Sequence, residues 1–521
     1  MKKITIIIFS IFLVIVGGCS NNSTSSEADV NNNSESEKGL TGYQVSKEPV
    51  DMKIHLHHFD GQVIFNDDWT TFKKAAELTN VSLKGVAPKT STDSQEAFNL
   101  MIASGEIPDF VQGTKADLMK YGKEGAFLPL NDLIEEHAPN IKKYLDEKEG
   151  LAEYATASDG NLYFVPFIAD GEAQKGWFVR QDWLDKLGLK APQTTDELYE
   201  VLKAFKERDP NGNGKQDEIP YFSRISESLG ELTILWGARN DLFLDGDKIK
   251  YGPYEDKYGT ALSELAKWYE EKLIDPEIFT RGAKARDILL GNNQGGITHD
   301  WFGSTAGYNN LLKDQVDGFK FETFAPPGNS EGEKIEPTVR DPYGDKAGVA
   351  IGYSTKDPVK AIKYLDFFYS EEGRRLMNYG VEGETYDLVD GKPVFKEEIL
   401  SSPDVPTKLH EYGVQTLFSY HQDFEYEKQW LNPIALKGIE EYSAKNYFAE
   451  PLPPFSFSEE EEKKITEIAA DLKTYRDEMM QKWVLGAEKI DYKEFKNQLK
   501  NLGVEEYIDL HQKAYDRSVK K

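Results

Sequence analysis

The stretch DPNGNGKQDEIP at residues 209–220 spaces its oxygen-bearing side chains as a cation-binding loop does. Oxygens at alternate positions converge when a backbone coils around an ion, and a glycine at the sixth position permits the sharp turn of an EF-hand loop. Hard oxygen ligands suit Ca²⁺ better than a softer metal. The expected ligands are Asp209, Asn211, Asn213, the backbone carbonyl of Lys215, Asp217 and Glu218, with Gly214 at the turn.

Two departures from the EF-hand pattern keep an ordinary turn open as the alternative. Position 12 is Pro220, so the usual bidentate glutamate is missing, and no paired EF-hand follows. Glu218 or Asp217 could supply that contact. Asn-Gly and Asp-Pro steps are also common in solvated turns. Because no nucleophile or base accompanies the loop, a bound Ca²⁺ is expected to serve the structure.

Three stretches combine aromatic rings with polar side chains, as a carbohydrate-binding surface does. Sugars present apolar C–H faces and rims of hydroxyl groups, so flat rings and polar side chains together can hold them. Any one of the tryptophans could equally be a core residue, and Arg340 could pair with a uronate or with an internal aspartate. The candidates are His299, Asp300 and Trp301 in THDWFG; Glu382 and Tyr386 in GVEGETYDL; Asp67, Asp68 and Trp69 in FNDDWTTF; and Trp236, Arg340 and Trp430 elsewhere.

Enzyme and metal-capture functions are the alternatives. Two carboxylates across a sugar could support glycoside hydrolysis, or a lyase reaction, but acidic residues are so abundant here that such pairs carry little information. No G-x-S-x-G, H-E-x-x-H or Walker pattern occurs in the sequence. His55, His57 and His58 could capture zinc, although a polar strand face is the simpler interpretation. A peptide-binding lipoprotein also stays open.

The N-terminus has the pattern of a bacterial lipoprotein signal. Two lysines precede an uncharged apolar run from Ile4 to Val16, which is too short to span a bilayer permanently. Small residues then lead to Cys19, the only cysteine, as in a lipobox; a chance cysteine is the alternative. We expect removal of residues 1–18, lipid attachment at Cys19, and a polar tether over 19–48. The body would then lie on the extracytoplasmic face of the cell membrane, and the tether's composition favours a Gram-positive surface.

Composition limits the remaining functions. Acidic residues outnumber basic ones by 90 to 62, and the net charge of -28 argues against nucleic acid as a partner, because phosphates require a basic surface. A single cysteine excludes a disulfide framework, so a large buried core must stabilise the chain. The length predicts two domains or more. The protein is expected to act as a monomer.

Strand and helix patterns alternate along the chain, which indicates an α/β protein. Residues 50–60 alternate in the manner of a strand, and Thr195 is expected to cap an amphipathic helix. The C-terminal third is predicted to be helical, notably Ser458–Trp483 and Asp491–Ala514.

No single Gly/Pro-rich linker divides the body, so we expect two lobes between which the chain crosses several times. Such connections favour hinge closure around a ligand. The predicted N-lobe comprises residues 49–166 and 325–380, and the predicted C-lobe comprises 167–324 and 381–521.

The lipobox and several longer stretches resemble the extracellular solute-binding lipoproteins of carbohydrate ABC importers, in the branch of LplA and the alginate-binding proteins. The resemblance covers nearly the whole mature chain in collinear order. It is carried by ASGEIPDF, GAFLPLNDLIEE, DGNLYFVPF, the run from WFVRQDWLDKLGL to DPNGNGKQDEIPY, AGVAIGYSTKDPVKAIKYLDFFYSEEGRRLMNYGVEGETYDLVDGKPVF, and FKNQLKNLGVEEYIDLHQKAYDR.

This resemblance implies a fold, a function and a role for the loop. The fold would be the two-lobed periplasmic-binding-protein fold, type II-like, with a helical C-terminal extension. The function would be capture of an oligosaccharide between the lobes and delivery to the permease subunits of an ABC transporter, without catalysis. In the alginate-binding members a calcium loop occupies the segment that matches residues 209–218, and the region of Glu382 faces the cleft.

Overall fold

The computed structural model describes residues 40–58, 61–171, 174–338, 348–402, 404–453, 455 and 457–519. The predicted signal peptide, Cys19 and Arg340 lie outside these residues. Among the described residues, no helix combines the length and the apolar character needed to cross a bilayer. The folded body begins before the predicted end of the tether, because Val45 is buried and its amide donates to the carbonyl of Thr79.

The strands are short, and most of them lie in the first 350 residues. In chain order they are β1 (Val50–His55), β2 (His57–His58), β3 (Val63–Ile64), β4 (Val81–Gly85), β5 (Phe110–Gly113), β6 (Val165–Pro166), β7 (Ile168–Ala169), β8 (Lys175–Arg180), β9 (Ile219–Tyr221), β10 (Leu242–Asp245), β11 (Lys248–Tyr251), β12 (Gly295–Trp301), β13 (Phe321–Phe324), β14 (Gly348–Ile351), β15 (Tyr386–Val389), β16 (Lys392–Phe395) and β17 (His421–Gln422).

Helices separate these strands and dominate the C-terminal third. They span Thr70–Thr79, Ser94–Ser104, Lys115–Lys123, Asn131–His137, Pro139–Glu147, Leu151–Ala155, Gln181–Leu187, Thr195–Glu207, Asp256–Glu270, Ala285–Gly291, Phe302–Ala306, Tyr308–Leu312, Pro358–Phe367, Glu371–Tyr379, Glu397–Leu400, Val405–His410, Phe424–Trp430, Pro433–Lys445, Glu459–Val484, Tyr492–Asn501 and Val504–Ser518.

The first sheet has five strands in the order β4-β1-β5-β14-β6. Strands β4, β1 and β5 are parallel, whereas β14 runs antiparallel to both of its neighbours. Helices cover the sheet, and its inner strands contribute apolar residues to the core: Ile54, Phe110 and Ile351 are fully buried. This sheet and its helices share one hydrophobic core, which includes Phe418 and Tyr420 from much later in the chain.

The second sheet has four strands in the order β13-β8-β12-β9, with β8 antiparallel to both neighbours. Every residue of β8 is buried. Gly176 is required there, because a Cβ atom at this position would lie 2.2 Å from the ring of Phe302. A separate core lies beside this sheet, and the helix Glu459–Val484 contributes to it.

The chain crosses between the two sheets more than once, as expected for a two-lobed α/β fold. It leaves the first core after β7, returns between β13 and β14, and leaves again after β17. Strands β7 and β17 pair in parallel immediately before their crossings, with His421 opposite Ile168. A paired connection of this kind favours hinge-like rotation of the two bodies.

Three local predictions can be compared with the structure. The helix predicted at Ser458–Trp483 is confirmed, and Ser458 and Glu461 form its capping box. The cap predicted at Thr195 is wrong by one residue: the hydroxyl of Thr194 accepts the capping bond from the amide of Glu197. The helix predicted at 491–514 is two helices, because Gly503 adopts φ +94° between them.

Candidate functional site

The loop at 209–218 joins the helix Thr195–Glu207 to β9 and folds around its own carboxylates. Asp209 has φ +46°, and its carboxylate accepts from the amides of Asn213 (3.1 Å) and Gly214 (3.0 Å). Gly212 and Gly214 also take positive φ, which coils the backbone. The first oxygen ligand therefore lies at the centre of the coil.

Asp217 returns to the same centre from the far end of the loop. One of its oxygens accepts from the side-chain amides of Asn211 (3.1 Å) and Asn213 (3.0 Å). Its other oxygen accepts from Gln294, which immediately precedes β12 (3.2 Å). Burial acts to raise the pKa of Asp217, but these donors lower it below its usual value. The predicted ligand side chains thus converge, whereas Lys215 contributes its side chain to solvent.

Glu218 provides a test of whether the loop fits a cation. It is 6% exposed, and neither carboxylate oxygen has a hydrogen-bond partner of good geometry among the described residues. Burial raises the pKa of Glu218, and the nearby charges of Asp209 and Asp217 add to this effect. A buried carboxylate without a partner is unfavourable unless it coordinates a cation. The donor set is all oxygen, so the residues fit Ca²⁺.

A second cluster lies at the end of β12, where three of the predicted ligand-binding residues are consecutive. Asp300 accepts a bidentate pair of bonds from Arg224 (2.8 and 2.9 Å), and Arg286 lies 3.4 Å from the same carboxylate. Trp301 is half-buried, and the ammonium group of Lys175 lies 5.9 Å from its ring centroid. The carboxylate of Asp300 is thus occupied by arginines, while the Trp301 ring forms a partly exposed flat surface.

Trp430 belongs to the same region although it lies far away in sequence. A Cβ atom built on Gly303, two residues after Trp301, would be 3.9 Å from the Trp430 ring and 3.3 Å from Leu431. The indole nitrogen of Trp430 is buried and has no hydrogen-bond partner among the described residues. The structure therefore brings Trp430 close to the helix that begins directly after Trp301.

His299 is buried between two carboxylates. Its Nδ1 lies 3.1 Å from Glu231, and its Nε2 lies 2.9 Å from Glu336. Burial acts to lower the pKa of His299, but Glu336 and Glu231 outweigh it and raise the pKa to about 10. Burial likewise acts to raise the pKa of Glu231, but the positive charges of His299 and Lys175 outweigh it and lower this pKa below its usual value. The ring is therefore an imidazolium.

The remaining predicted residues lie apart from this cluster. Trp69 is 4% exposed and packs on Phe65 and Phe72. Asp67 accepts from the amide of Gly85, and Asp68 pairs with Lys73 in solvent.

Three further candidates, Trp236, Glu382 and Tyr386, also lie apart from the Trp301 cluster. Trp236 is half-buried against Trp268, with ring centroids 5.1 Å apart. Glu382 is exposed, and Tyr386 is buried in a small core with Tyr379 and Phe395. A ligand-binding role for each of these residues stays a prediction.

The histidines considered for zinc do not form a metal centre. The two ring nitrogens of His57 contact the Ser94 hydroxyl (2.9 Å) and the Ser91 carbonyl (3.1 Å). The Nε2 of His58 contacts the Thr416 carbonyl, and burial lowers the pKa of His58 to about 3. The partners of His57 and His58 differ, and among the described residues His55, His57 and His58 do not form a group that could share a metal ion, so the geometry does not support the zinc alternative.

Asp170, His421 and Asp423 lie within metal-ligand distance of one another at the β7–β17 crossing. Each group already has a partner, however. His421 bonds to Asp170 (2.8 Å) and to Tyr144 (2.9 Å), and Asp423 pairs with Arg374. The cluster is therefore an ionic network at the crossing.

Sequence reasoning missed three charged residues next to the predicted ones. Lys175, Glu231 and Glu336 become neighbours of His299 only through folding. Lys175 lies opposite Trp301 in the antiparallel pairing of β8 with β12. That pairing is the single signal that could have located Lys175.

A family model described as bacterial extracellular solute-binding protein matches residues 62–375. The chain belongs to this family. The alginate-binding protein AlgQ2, in a crystal structure without calcium ion, is 41% identical, with a TM-score of 0.81 over 92% of this chain and 100% of that one.

Two relatives extend the comparison. The fructooligosaccharide ABC transporter substrate-binding protein FusA of Streptococcus pneumoniae is 27% identical and covers 89% of this chain and 87% of its own length. The polygalacturonan/rhamnogalacturonan-binding protein YtcQ of Bacillus subtilis is 25% identical over 63% of this chain and 65% of its own. These likenesses confirm the predicted family and the two-lobed α/β fold.

Proposed function

We propose that this solute-binding protein captures an oligosaccharide between its two lobes and delivers it to the permease subunits of an ABC transporter. The observation that carries the proposal is the likeness, over nearly the whole chain, to proteins named for binding alginate and fructooligosaccharides. The half-buried ring of Trp301, with Lys175 beside it, would supply the flat apolar face and the polar group that a sugar requires.

The lipid anchor at Cys19 and the lobes as predicted above are part of this proposal, except that the segment before β17 is assigned to the first lobe, because Phe418 and Tyr420 pack in its core. Cleavage before Cys19 would place the protein on the extracytoplasmic face, where a permease can receive the ligand. The protein would act as a monomer that binds without changing its ligand, as relatives named only as binding proteins suggest. Trp301 and Trp430 are its leading ligand contacts, and the other candidate residues follow them.

The loop at 209–218 would hold a structural Ca²⁺ ion. Asp209, Asn211, Asn213, Asp217 and Glu218 would bind it through side chains, and Lys215 through its carbonyl. The ion would neutralise the buried Glu218 carboxylate and stabilise the native state by mass action. The ion would not bind the captured sugar, because none of the candidate sugar contacts lies within the loop at 209–218.

The carbohydrate proposal is tested with the purified mature protein. A glycan panel that includes alginate oligosaccharides, kestose and galacturonan oligosaccharides should contain at least one member that raises the melting temperature. That glycan should also make the protein more compact in small-angle X-ray scattering, and chromatography should recover it unchanged. A panel without any melting shift or compaction would contradict the binding proposal, and recovery of shortened glycans would indicate an enzyme.

A further inference from the structure

The buried imidazolium of His299 connects three parts of the chain. Neutral imidazole has one N–H and one acceptor nitrogen, yet both ring nitrogens of His299 face carboxylates. Both nitrogens must therefore donate. His299 is 2% exposed and Glu336 is 0% exposed, so the charges interact in a site from which water is excluded.

Glu336 lies on the long crossover between β13 and β14. Its carboxylate also accepts from the amide of Thr338 (2.9 Å). Its backbone pairs with the segment after the helix Pro433–Lys445, through bonds to the Tyr447 carbonyl and from the Ala449 amide. His299 therefore fixes one crossover between the lobes against the end of β12.

The same ring fixes the surroundings of Trp301 on its other side. Glu231 accepts from His299 and also from the ammonium of Lys175 (2.5 Å). Lys175 lies opposite Trp301 in the sheet. Trp301 is two residues after His299, so the side chains of His299 and Trp301 lie on the same face of β12. Charged side chains therefore connect the crossover to the Trp301 ring, in the order Glu336, His299, Glu231 and Lys175.

We propose that His299 is a positioning residue for ligand capture: it holds the crossover, Lys175 and Trp301 as one preorganised surface. The proposal rests on the proposed function, because it takes Trp301 as a ligand contact. Without the positive ring, the buried carboxylate of Glu336 would face the partly exposed carboxylate of Glu231, and the two would separate. Trp301 and the crossover would then adopt several relative positions, and affinity would fall because ordering them would oppose binding.

The test compares His299→Gln and Glu336→Gln with a matched control, His511→Gln. His511 is also buried, at 6% exposed, but it bonds to the Tyr507 carbonyl within the last helix. Hydrogen–deuterium exchange needs no ligand: both test variants should speed amide exchange at least tenfold in residues 325–338 and 447–449. Exchange in the loop 209–218 should stay as in the wild type, and the control should leave both regions unchanged.

The binding arm uses alginate oligosaccharides and kestose as probes. We expect the dissociation constants of His299→Gln and Glu336→Gln to be at least tenfold higher than that of the His511→Gln control. The comparison is made with a control whose melting temperature equals that of the test variants. Wild-type affinity should also decline towards pH 10, where His299 loses its proton, and His299→Gln should lack that decline. Tyr221, Tyr442 and Asp300 lie near the same charged groups, and a tyrosine can also lose its proton at alkaline pH. Tyr442→Phe therefore serves as the reference for the decline in affinity at high pH.

The outcomes separate the two proposals. If neither probe binds the wild type but exchange rises as expected, the positioning network stands and the ligand assignment fails. Unchanged exchange and unchanged affinity in both variants would overturn the role of His299. If His299→Gln does not fold, Glu336→Gln decides, because it keeps the side-chain size and removes one charge.

Discussion

The ammonium of Lys123 lies 2.6 Å from the carboxylate of Glu462 and joins the two bodies of the protein. Lys123 ends a helix of the first core, and Glu462 lies in the first turn of the long helix that packs in the second. Ser158 also contacts both groups, at 3.1 Å from each. The contact is remote in sequence from every crossover, so it depends on the angle between the lobes.

Replacing Lys123 or Glu462 by Ala should change the distribution of lobe arrangements. The pair is partly exposed and should contribute about 0.2–1 kcal/mol to unfolding free energy. Small-angle scattering of Lys123→Ala should differ from that of the wild type, and the double variant should add little to either single one. Lys74→Ala, which removes a pair within one helix, is the control and should scatter as the wild type does. Superimposable curves for all variants would refute the contact as an interlobe tie.

Removing calcium should destabilise the protein through the loop at 209–218. At a free Ca²⁺ concentration a hundred times the dissociation constant, the ion contributes about 2.7 kcal/mol. A chelator should therefore lower the melting temperature by several degrees. Asp209→Ala should abolish this response, whereas Asp247→Ala, at an exposed turn, should preserve it. An Asp209→Ala protein that still responds to the chelator would leave the loop as an ordinary turn.

The charge of His299 should give stability a defined alkaline limit. Its pKa is raised from the ordinary value of 6.5 to about 10 in the native state, so its contribution is fully present below pH 6.5 and is lost as pH rises through about 10. Breaking a buried pair of this kind costs about 3–5 kcal/mol. Denaturant unfolding at pH 7, 9 and 10.5 should show the difference between wild type and His299→Gln shrinking with pH. A difference that stays constant would be inconsistent with a charged ring.

Trp301 and Trp236 should respond differently to substitution, although both were candidates from the sequence. Trp301→Ala should weaken binding of the responsive glycan by about 1.5–3 kcal/mol, because the sugar loses its apolar contact surface. Trp236→Phe should weaken binding much less, because its ring packs on Trp268 beside the second core and it ranks behind Trp301 as a ligand contact. Isothermal titration calorimetry measures both. Equal effects of the two substitutions would argue against the Trp301 surface.

Local patterns in the sequence were sufficient for the main elements and for the cation loop. The alternation at 50–60 gives β1, and Ser458 with Glu461 gives the start of the longest helix. The oxygen spacing from Asp209 to Glu218 is a local feature, so the convergence of its side chains could be read without a fold.

Contacts between distant segments could not be predicted. Trp69 was grouped with two exposed aspartates, yet Gly413 covers it so closely that an added Cβ atom would lie 2.8 Å away. Glu336 has no unusual local pattern, and its partner His299 is 37 residues earlier. Burial of this kind is set by tertiary packing, which one segment's composition does not encode.

Glu461 and Glu462 are neighbours in the chain, but they contact residues that are far apart in the sequence. Glu461 binds Arg517, at 3.0 and 2.7 Å, and Glu462 binds Lys123. The contact with Lys123 needs only the chain up to residue 462, whereas the contact with Arg517 cannot form until almost the whole chain is present. A prematurely terminated product lacking Arg517 would keep its first sheet and would leave the start of the long helix without that anchor.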